Sequence, residues 1–190
     1  MANLIELLGQ QLTPDTLDRL ARVTGEQPAN LQAAVQAALP TLLCGISSRS
    51  TTPEGSQQLL DAIGAAGPLE GFSAALADRE GALSLLRGGA AIVSSLFGLN
   101  ATAIADALST ATGVSGSSAA NLLSMLTPLT LGALGSQFAP DVPAADALAN
   151  VLAGEGDAIR AALPAGLADL VPCASPAPVA VAAPAAADAA

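Results

Sequence analysis

The chain repeats itself at a fixed interval of 88 residues, and this constrains its fold more than any other feature. Thr24-Gly25 returns as Thr112-Gly113, and Pro40 returns as Pro128. The same ungapped offset pairs Leu4 with Ile92, Ile5 with Val93, Leu8 with Leu96, Leu20 with Leu108, Leu43 with Leu131 and Ile46 with Leu134. The register then slips slightly: Pro53 matches Pro143 at 90, and Phe72, Leu76 and Leu83 match Ile159, Leu163 and Leu170 at 87. Two copies are read, roughly 3–88 and 91–171. A chain of this kind folds as similar units that bury their apolar faces against each other. The expected division is a first repeat over 1–88, a second over 89–171 packed with it as one compact unit, and a Pro/Ala-rich disordered tail over 172–190.

Each copy reads as helices. A short apolar helix is expected from Leu4 to Leu12. Thr13-Pro14-Asp15 then supplies an N-cap, a proline at the first helical position and an acid in the first turn. Leu17, Leu20 and Ala21 fall on one face of that second helix, and Gly25 ends it. Pro28 opens a third helix, and Pro40 inside it predicts a kink or break. Thr52-Pro53-Glu54 repeats the start signal for a helix from about Pro53 to Ile63. In the second copy Asn100 is expected to cap 101–112 and Gly113 to stop it. Ser115 caps a long apolar helix kinked at Pro128, and Pro143 opens the next. No segment alternates in the manner of a strand. The expected class is all-α, a duplicated multi-helix bundle with two similar halves and proline-kinked central helices. Glycines crowd the apolar runs at 45, 88, 89, 132 and 135, where small side chains let helix backbones approach closely.

Composition removes much chemistry. The 190 residues include no His and no Lys, and all six basic residues are Arg. Without His there is no Ser-His or Cys-His pair and no imidazole metal ligand. Without Lys there is no Walker-type phosphate loop and no Schiff base. A net charge of −10 disfavours nucleic acid, although helices joined at Gly25 or Gly113 superficially resemble a helix-turn-helix. It equally disfavours an anionic membrane surface. The longest apolar stretch, Leu122 to Leu134, is 13 residues long and is interrupted by Ser124, Thr127, Pro128 and Thr130. It falls short of the ~20 residues of a membrane span. The N-terminus lacks a positive region, and Glu6, Asp15 and Asp18 break any apolar leader, so a cytoplasmic location is expected.

The remaining polar clusters have plain structural readings. Asp15–Arg19 and Asp18–Arg22 are favourably ordered i,i+4 pairs on a solvated helix face. Asp78-Arg79-Glu80, followed by Gly81, reads as a capped turn. Asp141, Asp146, Glu155 and Asp157 do not make a calcium loop. Glu155 and Asp157 look instead like first-turn acids of the helix carrying Ile159 and Leu163. Gly88-Gly89 lacks the strand and the spacing of a phosphate-binding loop. The two cysteines are 129 residues apart with no C-x-x-C. Cys44 reads as a small buried hydrophobe and Cys173 as an exposed residue at the head of the tail. A disulfide between them stays open at this level.

Four segments carry a family resemblance. Gly116 to Gly135, GSSAANLLSMLTPLTLGALG, resembles the core signature of the bacterial DUF937 family, a domain of unknown function. Ala37 to Ile46, AALPTLLCGI, resembles the same signature in the first copy, and Ser50 to Gly55 the segment that follows it. Ile159 to Leu167 also fits, so the resemblance covers about 3–171 as two tandem copies. It implies an all-helical domain with no catalytic residues to carry over. Some relatives continue into a membrane helix and an OmpA-like, peptidoglycan-binding domain; no such segment stands in this sequence.

These readings converge on a non-enzymatic helical module that self-associates or binds another protein, with no cofactor, no metal, no nucleic acid and no evident small-molecule substrate. Membrane association is disfavoured. An envelope-associated protein of the OmpA-linked type, lacking its membrane helix and peptidoglycan-binding domain, is the alternative. Mean hydropathy is +0.55 with 12% charged residues, so apolar patches are expected at the surface. The densest apolar material flanks the prolines, at Leu39, Leu42, Leu43 and Ile46 and at Leu126, Leu129, Leu131 and Leu134. These eight are the candidate interaction surface, most simply of a symmetric dimer.

Overall fold

Capping chemistry sets the helix boundaries. The computed structural model describes residues 8–10, 12–66, 71–137, 144–168, 170, 171 and 173. Thr13 accepts a hydrogen bond from the Thr16 amide at 3.3 Å, Pro14 takes the first turn, and Gly25 closes helix α1 (Pro14–Thr24) in the left-handed region at φ +74°. Only glycine enters that region without strain. Helix α2 (Pro28–Arg49) follows. An equivalent junction recurs later in the chain. Helix α6 (Ala101–Thr112) ends at Gly113 with φ +76°, and Ser115 caps α7 (Gly116–Ser136) by accepting from the Ser118 amide at 3.2 Å. Even the last-turn threonines agree: Thr24 donates to the Leu20 carbonyl at 2.8 Å and Thr112 to the Leu108 carbonyl at 2.7 Å.

The other helices are α3 (Pro53–Ala66), α4 (Gly71–Ala77), α5 (Arg79–Phe97), α8 (Ala144–Ala162) and α9 (Ala165–Ala168), with a 3-10 turn over Gly98–Asn100. No strand occurs among the described residues. The fold is thus all-helical, as the apolar spacing implies. Helices α2 and α7 form its centre. α7 packs on α1, α2, α3, α5 and α6, while α2 also receives α8. From Ala37 to Ser47 in α2, and from Leu122 to Leu134 in α7 apart from half-buried Pro128, the residues are buried on every side, as in a helix with neighbours all round. Their hydroxyls stay satisfied by back-bonding: Thr41 donates to Ala37, Thr127 to Leu123 and Thr130 to Leu126, at 2.6–2.9 Å.

Neither proline interrupts its helix; α2 runs unbroken through Pro40 and α7 through Pro128. The missing amide of Pro128 leaves the Ser124 carbonyl without its helical donor. Gly89 of α5 sits directly on that carbonyl, where any Cβ would collide with it. The Gly89 Cα–H takes the place of the absent amide as a weak donor. Among the described glycines this is the tightest approach to a neighbouring helix. Similarly, Gly45 faces the Phe97 ring, and a Cβ at Gly135 would stand 2.8 Å from Ile63 Cγ2.

Several local expectations are corrected. Asn100 makes no side-chain cap, because a 3-10 turn leads directly into α6. Asp78 takes the N-cap place of α5 with extended backbone, yet its side chain makes no capping bond. Glu155 and Asp157 lie inside α8, not in a first turn. Buried Leu148, Leu152 and Ile159 hold that helix continuous across Gly154 and Gly156. Asp15–Arg19 pairs at 2.8 Å, but no Asp18–Arg22 ion pair forms. The expected start at Leu4, the Pro143 helix start and the tail beyond Cys173 lie outside the described residues.

Candidate functional site

The eight residues marked as an interaction surface lie inside the molecule. Leu42, Leu43, Ile46, Leu126, Leu131 and Leu134 are fully buried, and Leu39 and Leu129 nearly so. They belong to α2 and α7, and apolar density on all sides of a helix buries it rather than exposing it. A contact surface must therefore be sought on another element.

Among the described residues no group of three or more His, Cys, Asp or Glu side chains could hold a metal ion. A groove of about 660 Å³ lies between α1, α4 and α5 and is edged by Asp15, Arg19, Arg22, Asp78 and Arg79 over an apolar floor that includes Leu76 and Ala82. Its charges are mixed, and no Ser, Thr or Cys lines it. A second polar node joins the two helix junctions. The Glu26 carboxylate accepts from the Ser115 amide at 2.9 Å, at the start of α7, and Ser118 donates to the Thr24 carbonyl at 3.3 Å. The Ser115 amide first, then the hydroxyls of Ser118 and Ser115, hold the Glu26 carboxyl below its ordinary pKa. The Asn30 amide donates to the Gly113 carbonyl at 3.4 Å beside it. This node is structural: it ties the α1–α2 junction to the α6–α7 junction.

Among the described residues, helix α5 keeps one long face exposed. Its inner face, Ala82, Leu86, Gly89, Val93 and Leu96, packs on the bundle. Ser84, Arg87, Gly88, Ala91, Ser94 and Ser95 face outward, with Leu83 half-exposed at one end and Leu99 fully exposed just past the other. An 18-residue stretch within Arg79–Thr112 has a mean hydropathy of 1.5, and only 17% of it is buried. Arg87 is the one charge on the outer face between Ala82 and Phe97. Leucine density could not reveal this surface, because its residues are small. The signal present in the sequence is the spacing of Ser84, Gly88, Ala91 and Ser95, one helical turn apart.

The two cysteines come together. Cys44 of α2 and Cys173 form a disulfide, with their Cα atoms 4.6 Å apart. Cys44 is fully buried as expected, but Cys173 is half-buried against the core instead of exposed. Leu167 and Val171, buried just before it, draw the chain end inward.

A family model described as a bacterial protein of unknown function (DUF937) matches residues 6–137 in one continuous stretch. No curated protein and no solved structure matches the chain.

Proposed function

The chain belongs to the bacterial DUF937 family, whose function is unknown, and on that premise we propose that it is a non-enzymatic helical module that pairs with a second copy of itself through the outer face of α5. The observation that carries this reading is the apolar segment from Arg79 to Thr112, of which so little is buried. Soluble proteins seldom leave such a face uncovered unless something binds it. A face of Ser, Gly and Ala admits an identical helix at short range, and a two-fold axis pairs like with like. Arg87 is the only charge that α5 itself places on this face, and Arg49 of α2 borders it, donating to the Ser95 hydroxyl at 3.2 Å. The 88-residue repeat is proposed as an internal duplication within the family unit. The matching glycine junctions at Gly25 and Gly113 support it.

Sedimentation equilibrium at micromolar concentration tests the pairing. The expected result is a species of twice 18.4 kDa for the native chain and a single 18.4 kDa species for Ala91→Asp, with unchanged helical circular dichroism. A native chain that sediments only at 18.4 kDa overturns it.

One observation favours the envelope reading over a cytoplasmic one. Disulfides persist in oxidising compartments and are rare in the bacterial cytoplasm, and this chain brings its only two cysteines together. Alkylating thiols in intact cells before lysis tests it: an oxidised Cys44–Cys173 pair supports envelope placement, and two alkylated thiols rule it out.

A further inference from the structure

The disulfide joins two parts of the chain that differ in kind. Cys44 lies within the family-matched region, in the buried C-terminal half of the central helix α2, whereas Cys173 lies beyond that region. The segment leading to Cys173 is weakly built. Helix α9 is four residues long and rests on α6. Its backbone bonds are local turns, such as Leu167 amide to Pro164 carbonyl and Val171 amide to Leu167 carbonyl. A single turn of helix does not hold itself in water. Two deeply buried side chains, Leu167 and Val171, and the bond to Cys44 keep it down.

We propose that the Cys44–Cys173 disulfide is a redox clasp that holds segment 163–173 on the bundle, and that a dithiol reductant opens it. Cys44 is sealed in the core, so attack falls on the half-buried Cys173 sulfur. A thiolate of the reductant bonds to that sulfur, the Cys44–Cys173 bond breaks, and the Cys44 sulfur leaves and takes up a proton. The second thiol of the reductant then displaces Cys173, which is protonated in turn. Two electrons pass from the dithiol to the protein, leaving two cysteine thiols and the oxidised reductant. Freed from its covalent tie, the segment lifts and uncovers the apolar seat beneath Leu167 and Val171. The α2–α7 core does not depend on it, because that core lies wholly within the family-matched region.

Amide hydrogen exchange on the full chain, oxidised and after dithiothreitol treatment, tests the clasp. Reduction is expected to speed exchange over 165–171 by about tenfold or more, while peptides from 28–49 and 116–136 keep their protection. Cys173→Ser is expected to exchange like the reduced protein whether or not reductant is present. Unchanged protection over 165–171 on reduction overturns the proposal, since the apolar contacts then suffice. Loss of protection throughout the bundle overturns it too, since the bond would then staple the whole fold. So does finding two free thiols after preparation without reductant and mild oxidation with diamide.

Discussion

Helix α2 and the apolar run from α5 through the 3-10 turn into α6 are both long and apolar enough to cross a membrane by length and composition, yet the fold treats them oppositely. The apolar stretch of α2 is 78% buried, and that of α5 and its continuation into α6 is 17% buried. The difference lies in what surrounds each helix. α2 keeps Leu, Val and Ile along one stripe and Ala, Thr, Cys and Gly on its other sides, yet from Ala37 to Ser47 it is buried all round, because it receives six neighbouring helices. α5 confines its larger residues to one side and leaves Ser, Gly and Ala on the other. Mean hydropathy cannot separate a helix surrounded by neighbours from one covered on a single side; the packing around the helix axis does.

Substitutions can sharpen this contrast. The largest effect belongs to α2: Leu43→Ala is expected to cost about 2–5 kcal/mol, read as a lower urea midpoint, because a fully buried Leu leaves a cavity. A loss below 1 kcal/mol would place α2 nearer the surface than described. Next comes the inner side of α5. Gly89→Ala drives a methyl into the Ser124 carbonyl and is expected to cost about 1–3 kcal/mol, while Gly88→Ala, one residue along with open space around it, should be neutral or slightly stabilising. Equal effects at 88 and 89 would break the two-faced description of α5. Third, Ser115→Ala removes the cap of α7 and is expected to cost about 1 kcal/mol by thermal unfolding.

A smaller, pH-dependent effect comes from Glu26. Its folded pKa is depressed, so its contribution is present above the ordinary carboxylate pKa and fades as pH falls through the folded value. Glu26→Gln should therefore flatten the acid limb of the stability profile and leave the core untouched. An unchanged acid limb would show that the Ser115 bond gives Glu26 no weight. The smallest effect is on the exposed side: Leu99→Ser should change stability by no more than about 0.5 kcal/mol.

The contrast also shows how far the sequence could be read. The caps at Thr13, Gly25, Gly113 and Ser115 were legible because each follows from chemistry within four residues. The all-helical class followed from apolar spacing. The interaction face was misplaced because leucine density marks burial, and the buried helices are where leucines concentrate. Of the kink or break expected at Pro40 and the kink expected at Pro128, no break occurs, because tertiary packing on every side holds those helices together. At Pro128 a partner helix also covers the freed carbonyl, and no local rule contains that partner. Cys44 and Cys173 were visible as a pair but not as a bond, since only the three-dimensional path of α8 and α9 brings them together.

The meeting of Gly89 with the carbonyl that Pro128 sets free has a mechanical consequence. Sliding α5 by one turn in either direction would bring Leu85, Leu86 or Val93 over the Ser124 oxygen, and none of them fits where a hydrogen atom now sits. The helix therefore has one permitted axial position. Its outer row of Ser84, Gly88, Ala91 and Ser95 acts as a ruler with fixed graduations. Any molecule that docks there must adjust its own shape to match, because α5 cannot shift to meet it.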